Sequence, residues 1–248
     1  MNALVVLTRG YKEKYKYEKL LKRNKKLEEY YNENIDYIIF HEGNIDEEHQ
    51  NYINSETIIP FKFIIVNYEF RIKDKNLIFR KKTFKWGIGY RNMCNFWFCG
   101  FWKYVEKYDK ILRIDEDCII YYDYNKIFEL LNNKVACYGK WLPFDSHKVT
   151  KGLNEFTIDF LKNNNRFVKK KVCNGPFTNI IGLNLNLLRC HKLLNKYIEE
   201  VYKSNQIYIS RWGDLPLWGD VLFYFFKKNH NLKIKDLKYI HAESKINM

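Results

Sequence analysis

The chain has 248 residues, with Lys+Arg 43 against Asp+Glu 29 and a formal net charge of +14. Hydrophobic residues make up 46%, enough for a full core, and only 11 Gly and 4 Pro occur, which excludes a disordered or collagen-like chain. The lysines are spread along the chain and not gathered in blocks, so the excess reads first as a solvated surface and second as a site for phosphates or polyanions.

In chain order, residues 3–7 form an apolar run that predicts a buried strand. Residues 15–31 carry Tyr17, Leu20, Leu21, Leu27 and Tyr31 at helical spacing. A second strand is predicted over 37–40, a short helix with an acidic first turn over 46–53, and a third strand over 61–66. Residues 89–108 read as one long, mostly buried helix. A strand over 110–114 runs straight into Asp115-Glu116-Asp117. Then come a helix over 124–131, a strand over 135–138, and a loop over 141–148 that contains Pro143. A helix over 153–162, a strand over 179–183, helices over 187–202 and 217–226, and a last short strand over 238–241 complete the pattern. This alternation predicts a single α/β domain over 1–248 with a mixed, mainly parallel sheet. Ligands of such sheets sit beyond the carboxyl ends of the strands. That rule singles out Thr8-Arg9-Gly10, His41-Glu42-Gly43 and Asp115-Glu116-Asp117.

None of the six cysteines (Cys94, Cys99, Cys118, Cys137, Cys173 and Cys190) forms a CxxC pair, which argues against a zinc knuckle and for reduced, mostly buried thiols. Residues 1–9 lack the charged start and the length of a signal peptide, and the most apolar stretch, 93–102, is about half a membrane span. The expectation is a cytoplasmic or otherwise soluble protein with no transmembrane segment in this chain. A secretory lumen is implied only if an anchor lies outside this sequence.

Three segments carry chemistry. Arg113-Ile114-Asp115-Glu116-Asp117 places two carboxylates two positions apart at the end of a buried strand. Such a pair can share one hard cation, because Mg²⁺ and Mn²⁺ take oxygen ligands and keep positions open for a diphosphate, whose charge they neutralise. A solvated acidic turn is the other account, and an Asp-x-Asp by itself does not decide between them. Gly89-Tyr90-Arg91-Asn92-Met93-Cys94 opens a helix. A helix N-terminus favours anions, Arg91 adds a planar fork for phosphate, and Tyr90 offers a hydroxyl; an ordinary amphipathic start competes with that reading. Arg211-Trp212-Gly213-Asp214-Leu215-Pro216 joins a guanidinium, a ring face and a carboxylate, a mixture that suits sugars, or it is a structural loop in which Asp214 caps the next helix. His241, at the end of the last strand, is a structural histidine or a metal ligand. Trp86, Trp97, Trp102 and Trp141 are core, or a stacking surface for single-stranded nucleic acid. No RNP-like, OB or helix-turn-helix signature accompanies them, so no specific nucleic acid is expected as a partner.

Taken in order, these segments resemble the fungal α-1,2-mannosyltransferases of glycosyltransferase family 15, nearly end to end. Asn2 through Arg9 looks like that family's first strand and Arg-containing nucleotide loop. Tyr90-Arg91-Asn92-Met93-Cys94-Asn95-Phe96 looks like its Tyr-Arg-x-Met-Cys-Arg-Phe helix, and Arg113-Ile114-Asp115-Glu116-Asp117 falls on its Arg-x-Glu-Pro-Asp segment. Thr178-Asn179-Ile180-Ile181 falls on Ser-Asn-Phe-Glu, and residues 211–216 on Arg-Trp-Gly-Asp-Ala-Pro. Tyr239-Ile240-His241 falls on the terminal Gly-Tyr-x-His, whose His is a manganese ligand in the family. The sequence departs from the pattern at Asn95 for Arg, Asp115 for Glu, Glu116 for Pro, and Ile181 for a Glu discussed as a nucleophile.

The resemblance implies a GT-A fold, a Rossmann-like α/β nucleotide-sugar transferase domain. It implies retaining, metal-dependent transfer of a hexose to a hydroxyl on a glycan or glycoprotein. Mannose from GDP-mannose comes first as donor, and a UDP-linked sugar is the alternative. It places Mn²⁺, or Mg²⁺ in its stead, on Asp115, Asp117 and His241. Arg9, Arg91, Asp115 and Trp212 fall at the donor and its nucleotide, and Tyr90 and Asp214 at the reacting centre. With Ile181 where the nucleophile would stand, the expectation is a front-face reaction with no covalent glycosyl-enzyme. A basic nucleic-acid-binding module and an inactive glycosyltransferase-like scaffold are the rival expectations.

Overall fold

The computed structural model describes residues 1–66, 78, 80–83, 85–168, 172–242 and 244–246. The strands are β1 Asn2–Leu7, β2 Ile35–His41, β3 Phe61–Ile65, β4 Lys110–Ile114, β5 Cys118–Ile120, β6 Ala136–Tyr138, β7 Trp141–Leu142, β8 Gly175–Pro176, β9 Ile180–Asn184, β10 Asn231–Lys233, β11 Tyr239–His241 and β12 Ser244–Ile246. The α-helices are α1 Glu18–Leu27, α2 Glu47–Ser55, α3 Ile88–Asn95, α4 Asn125–Leu130, α5 His147–Thr150, α6 Leu153–Asn163, α7 Leu185–Arg189, α8 Lys192–Ser204, α9 Gln206–Ile209 and α10 Asp214–Tyr224.

Seven strands form the main sheet in the order β10-β6-β9-β4-β1-β2-β3. β1 runs parallel to both β2 and β4, β2 to β3, and β6 to β10, while β9 alone runs antiparallel to its neighbours β4 and β6. The sheet is mixed and mainly parallel, as the alternation predicts. Its faces are covered on both sides, which is why its strands read as continuous apolar runs. In β1, Ala3 and Val5 join one buried cluster, and Leu4 and Val6 join the other. The first cluster lies under α3, α8 and α10, with Trp97, Tyr197 and Trp218; the second holds Leu20 and Leu27 of α1, Ile53 of α2 and Ile127 of α4. A small sheet, β12-β11-β5, folds across the end of β4.

The long helix predicted over 89–108 changes pitch along its length. After α3, a π-turn spans Phe96–Gly100 and a 3₁₀ turn spans Phe101–Tyr104. Phe96, Trp97, Phe98 and Phe101 are all buried, and a uniform 3.6-residue spiral cannot turn three consecutive rings into one core. The predicted helix over 187–202 breaks at Cys190, because the His191 ring accepts the amide of Leu194 at 3.1 Å and caps a new helix. α10 begins at Asp214, three residues before its predicted start, with Gly213 extended as its cap and Pro216 in the first turn, where a missing amide costs nothing. β5, β7, β8, β10 and β12 have two or three residues each, too few to show a period in sequence. Among the described residues, no helix is long and apolar enough to cross a membrane.

Candidate active site

The carboxyl ends of β1 and β4 lie side by side in the sheet, so the loop at Thr8 meets the turn at 115–117. The Thr8 hydroxyl donates to Glu116, and the Tyr11 hydroxyl donates to Glu116 Oε1 at 3.2 Å. Burial pushes the Glu116 carboxyl above its ordinary range. Gly10 donates its amide to Asn44 Oδ1 at 2.8 Å, and a Cβ there would lie 1.8 Å from the Asn44 carbonyl oxygen. Only glycine lets the loops after β1 and β2 close up this far. Arg9 is exposed beside them, its guanidinium carbon 5.1 Å from the centre of the Tyr11 ring.

The next strand over carries the candidate metal centre. β5 starts one residue after Asp117 and pairs antiparallel with β11, so that Cys118 faces His241 across the ladder. Asp117 Oδ1 lies 3.6 Å from His241 Nε2. The ligand atoms of Asp117, Cys118 and His241 lie within 4.8 Å of one another. The His241 ring stands edge-on to Phe177, 5.2 Å between centres, which fixes its plane. A carboxylate oxygen and an imidazole nitrogen, both partly open to solvent, can together hold a divalent ion such as Mn²⁺ and leave its other positions to oxygen ligands.

Asp115 is not at that centre in this structure. Both of its oxygens go to Arg113, at 2.8 Å from Nε and 3.2 Å from Nη2. Arg113 is the hub of the site. It is 4% exposed, its Nη1 donates to Asp214 Oδ2 at 2.6 Å, and its guanidinium carbon sits 4.4 Å over the Trp97 ring. Burial pushes the Asp115 carboxyl upward while the Arg113 charge pulls it down, and the nearby Asp214 and Asp117 charges add to the rise. Asp214, on the first turn of α10, is buried and faces Cys94 Sγ at 3.8 Å on its other oxygen.

Tyr90 is half-exposed, and its hydroxyl accepts from Arg211 Nη2 at 2.6 Å. Arg211 is itself clamped between the rings of Trp86 and Tyr90, 4.6 and 4.5 Å from their centres, with Asp145 at 3.6 Å. It holds this place at the cost of a left-handed backbone, φ 62°. Burial raises the Tyr90 hydroxyl well above its usual value, so the phenol stays neutral.

Two expected donor ligands lie elsewhere. Arg91 is fully buried and donates to the carbonyls of Thr83 at 2.7 Å, Trp86 at 3.2 Å and Tyr208 at 2.5 Å. It staples the start of α3 to the segments before it and to α9, and its guanidinium is closed to solvent. Trp212 is 2% exposed, donates its Nε1 to the Lys151 carbonyl at 3.0 Å, and meets Phe156 edge-on at 5.2 Å. Its ring face is core and is closed to a sugar. Ile181 is 1% exposed and pairs with Arg113 on one side and Tyr138 on the other. The sequence points to no separate role for Arg113 or Cys118, and to Arg211 only as the guanidinium of the 211–216 mixture. Arg113 carries the one available signal, a cation inside an apolar strand two residues before a carboxylate.

No family model matches the chain. The probable mannosyltransferase KTR4 of Saccharomyces cerevisiae is 25% identical over 185 residues, 62% of this chain and 38% of that protein. The glycolipid 2-alpha-mannosyltransferase 2 of Candida albicans is 23% identical over 187 residues, 68% of this chain and 40% of that protein. The chain thus spans about two fifths of the length of these curated relatives. The crystal structure of core-mannan synthase A (CmsA/Ktr4) from Aspergillus fumigatus, in its Mn/GDP form, superposes with a TM-score of 0.83 at 19% identity, over 98% of this chain and 75% of that one. The chain has the GT-A fold and resembles the fungal mannosyltransferases. Within that fold, the turn at 115–117, His241 and the loop at Arg9 gather at one edge of the sheet, where β1 and β4 end.

Proposed function

We propose that the chain, as one domain, transfers a mannosyl residue from GDP-mannose to a hydroxyl of a glycan or glycoprotein, with retention of configuration and with a divalent cation. The observation that carries this reading is the pairing of Asp117 with His241 beside the Thr8–Arg9 loop, at the carboxyl edge of a GT-A sheet. Asp117 and His241 would hold Mn²⁺. When bound, the ion supplies Lewis-acid neutralisation of the departing diphosphate. Arg9, exposed across the loop, supplies a cationic fork to the phosphates or the nucleotide. Asp115 acts through Arg113, which it grips by both oxygens, and keeps the turn rigid.

The residues at the reacting centre favour a front-face displacement. A double displacement needs an unpaired nucleophile close to the anomeric carbon. Ile181 offers a hydrocarbon, Asp214 is already tied to Arg113, and Tyr90 is kept neutral by burial while its oxygen accepts from Arg211. The Tyr90 hydroxyl then orients a sugar or phosphate oxygen and does not attack. Binding of GDP, UDP and their sugars, read by thermal shift with Mn²⁺ or with EDTA, tests the reading. GDP with Mn²⁺ is expected to stabilise the protein most, and Asp117→Asn to abolish the metal-dependent part. Equal shifts with and without metal would sink the assignment, and a larger shift with UDP would replace the donor.

A further inference from the structure

α1 packs against β5 and carries an anomaly. Leu20 and Leu27 bury its core face, and the positions between them on the same face are Arg23 and Asn24, 1% and 0% exposed. Arg23 Nη1 donates to Asn24 Oδ1 at 2.8 Å, while its Nε and Nη2 meet no acceptor among the described residues. No carboxylate pairs with it at ion-pair distance there. A buried guanidinium without a partner is among the most costly groups a core can hold, and it calls for a compensating role. The carboxylates whose charge reaches it are Asp115 and Glu116, at the turn that leads into β5, the strand α1 packs against. Burial pulls its pKa down to about 10, so it remains a cation at neutral pH.

We propose that Arg23 is a positioning cation beneath the 115–117 turn, which keeps bare Mn²⁺ out of the Asp117–His241 site and admits the metal together with a diphosphate. This rests on the function proposed above. Arg113 already neutralises the turn from one side by its ion pair with Asp115. Arg23, buried on the helix that packs against β5, adds positive potential in a dry medium where charges act over several ångströms. A lone dication meets two buried guanidinium groups and little net negative charge. A nucleoside diphosphate brings the anion that Arg23 lacks, so metal and nucleotide favour each other's binding.

The Kd of Mn²⁺ is measured by electron paramagnetic resonance, with and without saturating GDP, on the intact protein and on Arg23→Met, Arg23→Gln and Arg23→Lys. The neutral variants are expected to bind free Mn²⁺ about tenfold more tightly, and the ratio of the two Kd values is expected to shrink by the same factor. Arg23→Lys is expected to keep the original values. Methionine fills a similar volume without an unpaired charge, so thermal unfolding of Arg23→Met is expected at or above the original temperature. Free-metal affinity that is unchanged or weaker in both neutral variants overturns the proposal, as does a lysine variant that behaves like them. If the original protein binds Mn²⁺ and GDP together but the variants do not differ from it, Arg23 alone loses its role. If the original binds neither, the proposed function falls and this inference falls with it.

Discussion

Replacing Arg113 by methionine tests whether the hub organises the site or merely occupies it. The substitution keeps the side-chain length over Trp97 and removes a guanidinium that is 4% exposed. Asp214, whose side chain is 5% exposed, loses a 2.6 Å partner and is left as a buried charge facing Asp115. Asp115, at 26% side-chain exposure, recovers part of its loss from water. Breaking one side of a buried pair costs about 3–5 kcal/mol, most of it the penalty of the stranded partner. For a chain of this length that corresponds to a fall in Tm of about 6–20 °C. Urea unfolding gives the free energy, and a cycle with Asp214→Leu apportions it. The double variant is expected to recover much of the loss, because the stranded charge is gone. A loss below about 1 kcal/mol in Arg113→Met, or strict additivity in the cycle, would refute the account of Arg113 as the counter-charge of both carboxylates.

Trp212→Ala is expected to cost about 3–5 kcal/mol of stability as a core deletion, while Trp212→Phe keeps nucleotide binding; a variant that folds as before and loses only donor affinity would return this ring to the sugar site. Burial alone depresses the His41 imidazole, so the folded state refuses a proton that the unfolded chain accepts below about pH 6.5. Stability therefore falls as pH drops through that value, and His41→Gln is expected to flatten the fall in unfolding experiments between about pH 7 and 5; an unchanged slope would show that the ring titrates normally. Tyr90→Phe is expected to lower turnover and to leave a measurable rate, since the phenol orients and does not attack. Complete loss of turnover with intact donor binding, or a trapped glycosyl adduct on any side chain, would show the front-face displacement to be wrong.

The sheet is legible in sequence where both of its faces are buried, as in β1, β2, β4 and β9, whose runs carry no polar alternation. The place of the site follows from the same reading, since Arg9, Asp117 and His241 all lie at strand ends. What is not legible is which polar group faces outward. Tyr90 and Arg91 are neighbours on one helix turn, yet one is half-exposed and meets Arg211 while the other holds three carbonyls inside. Asp115 and Asp117 differ only in which of them stands next to an arginine two residues back along the same strand face. Such choices are made by partners distant in sequence: Tyr208 for Arg91, Lys151 for Trp212, Asp214 for Arg113. No period or motif encodes them. The pitch change after α3 belongs to the same class, because it answers the shape of the core and not the local propensity.

The position of β9 bears on the order in which the molecule assembles. It lies between β4 and β6, strands that precede it in the chain, and it runs against both. β1, β2, β3 and β4 pair through connections that lie wholly upstream of it, whereas the middle of the sheet stays open until residues 180–184 arrive. Contacts separated by long stretches of chain form slowly, since the loop must close before the pairing repays it. In pulse-labelled hydrogen exchange during refolding, the amides of β1 and β2 are therefore expected to gain protection ahead of those in β9. Ile181 is then the keystone of the sheet: its buried hydrocarbon sits where β4 and β6 are joined.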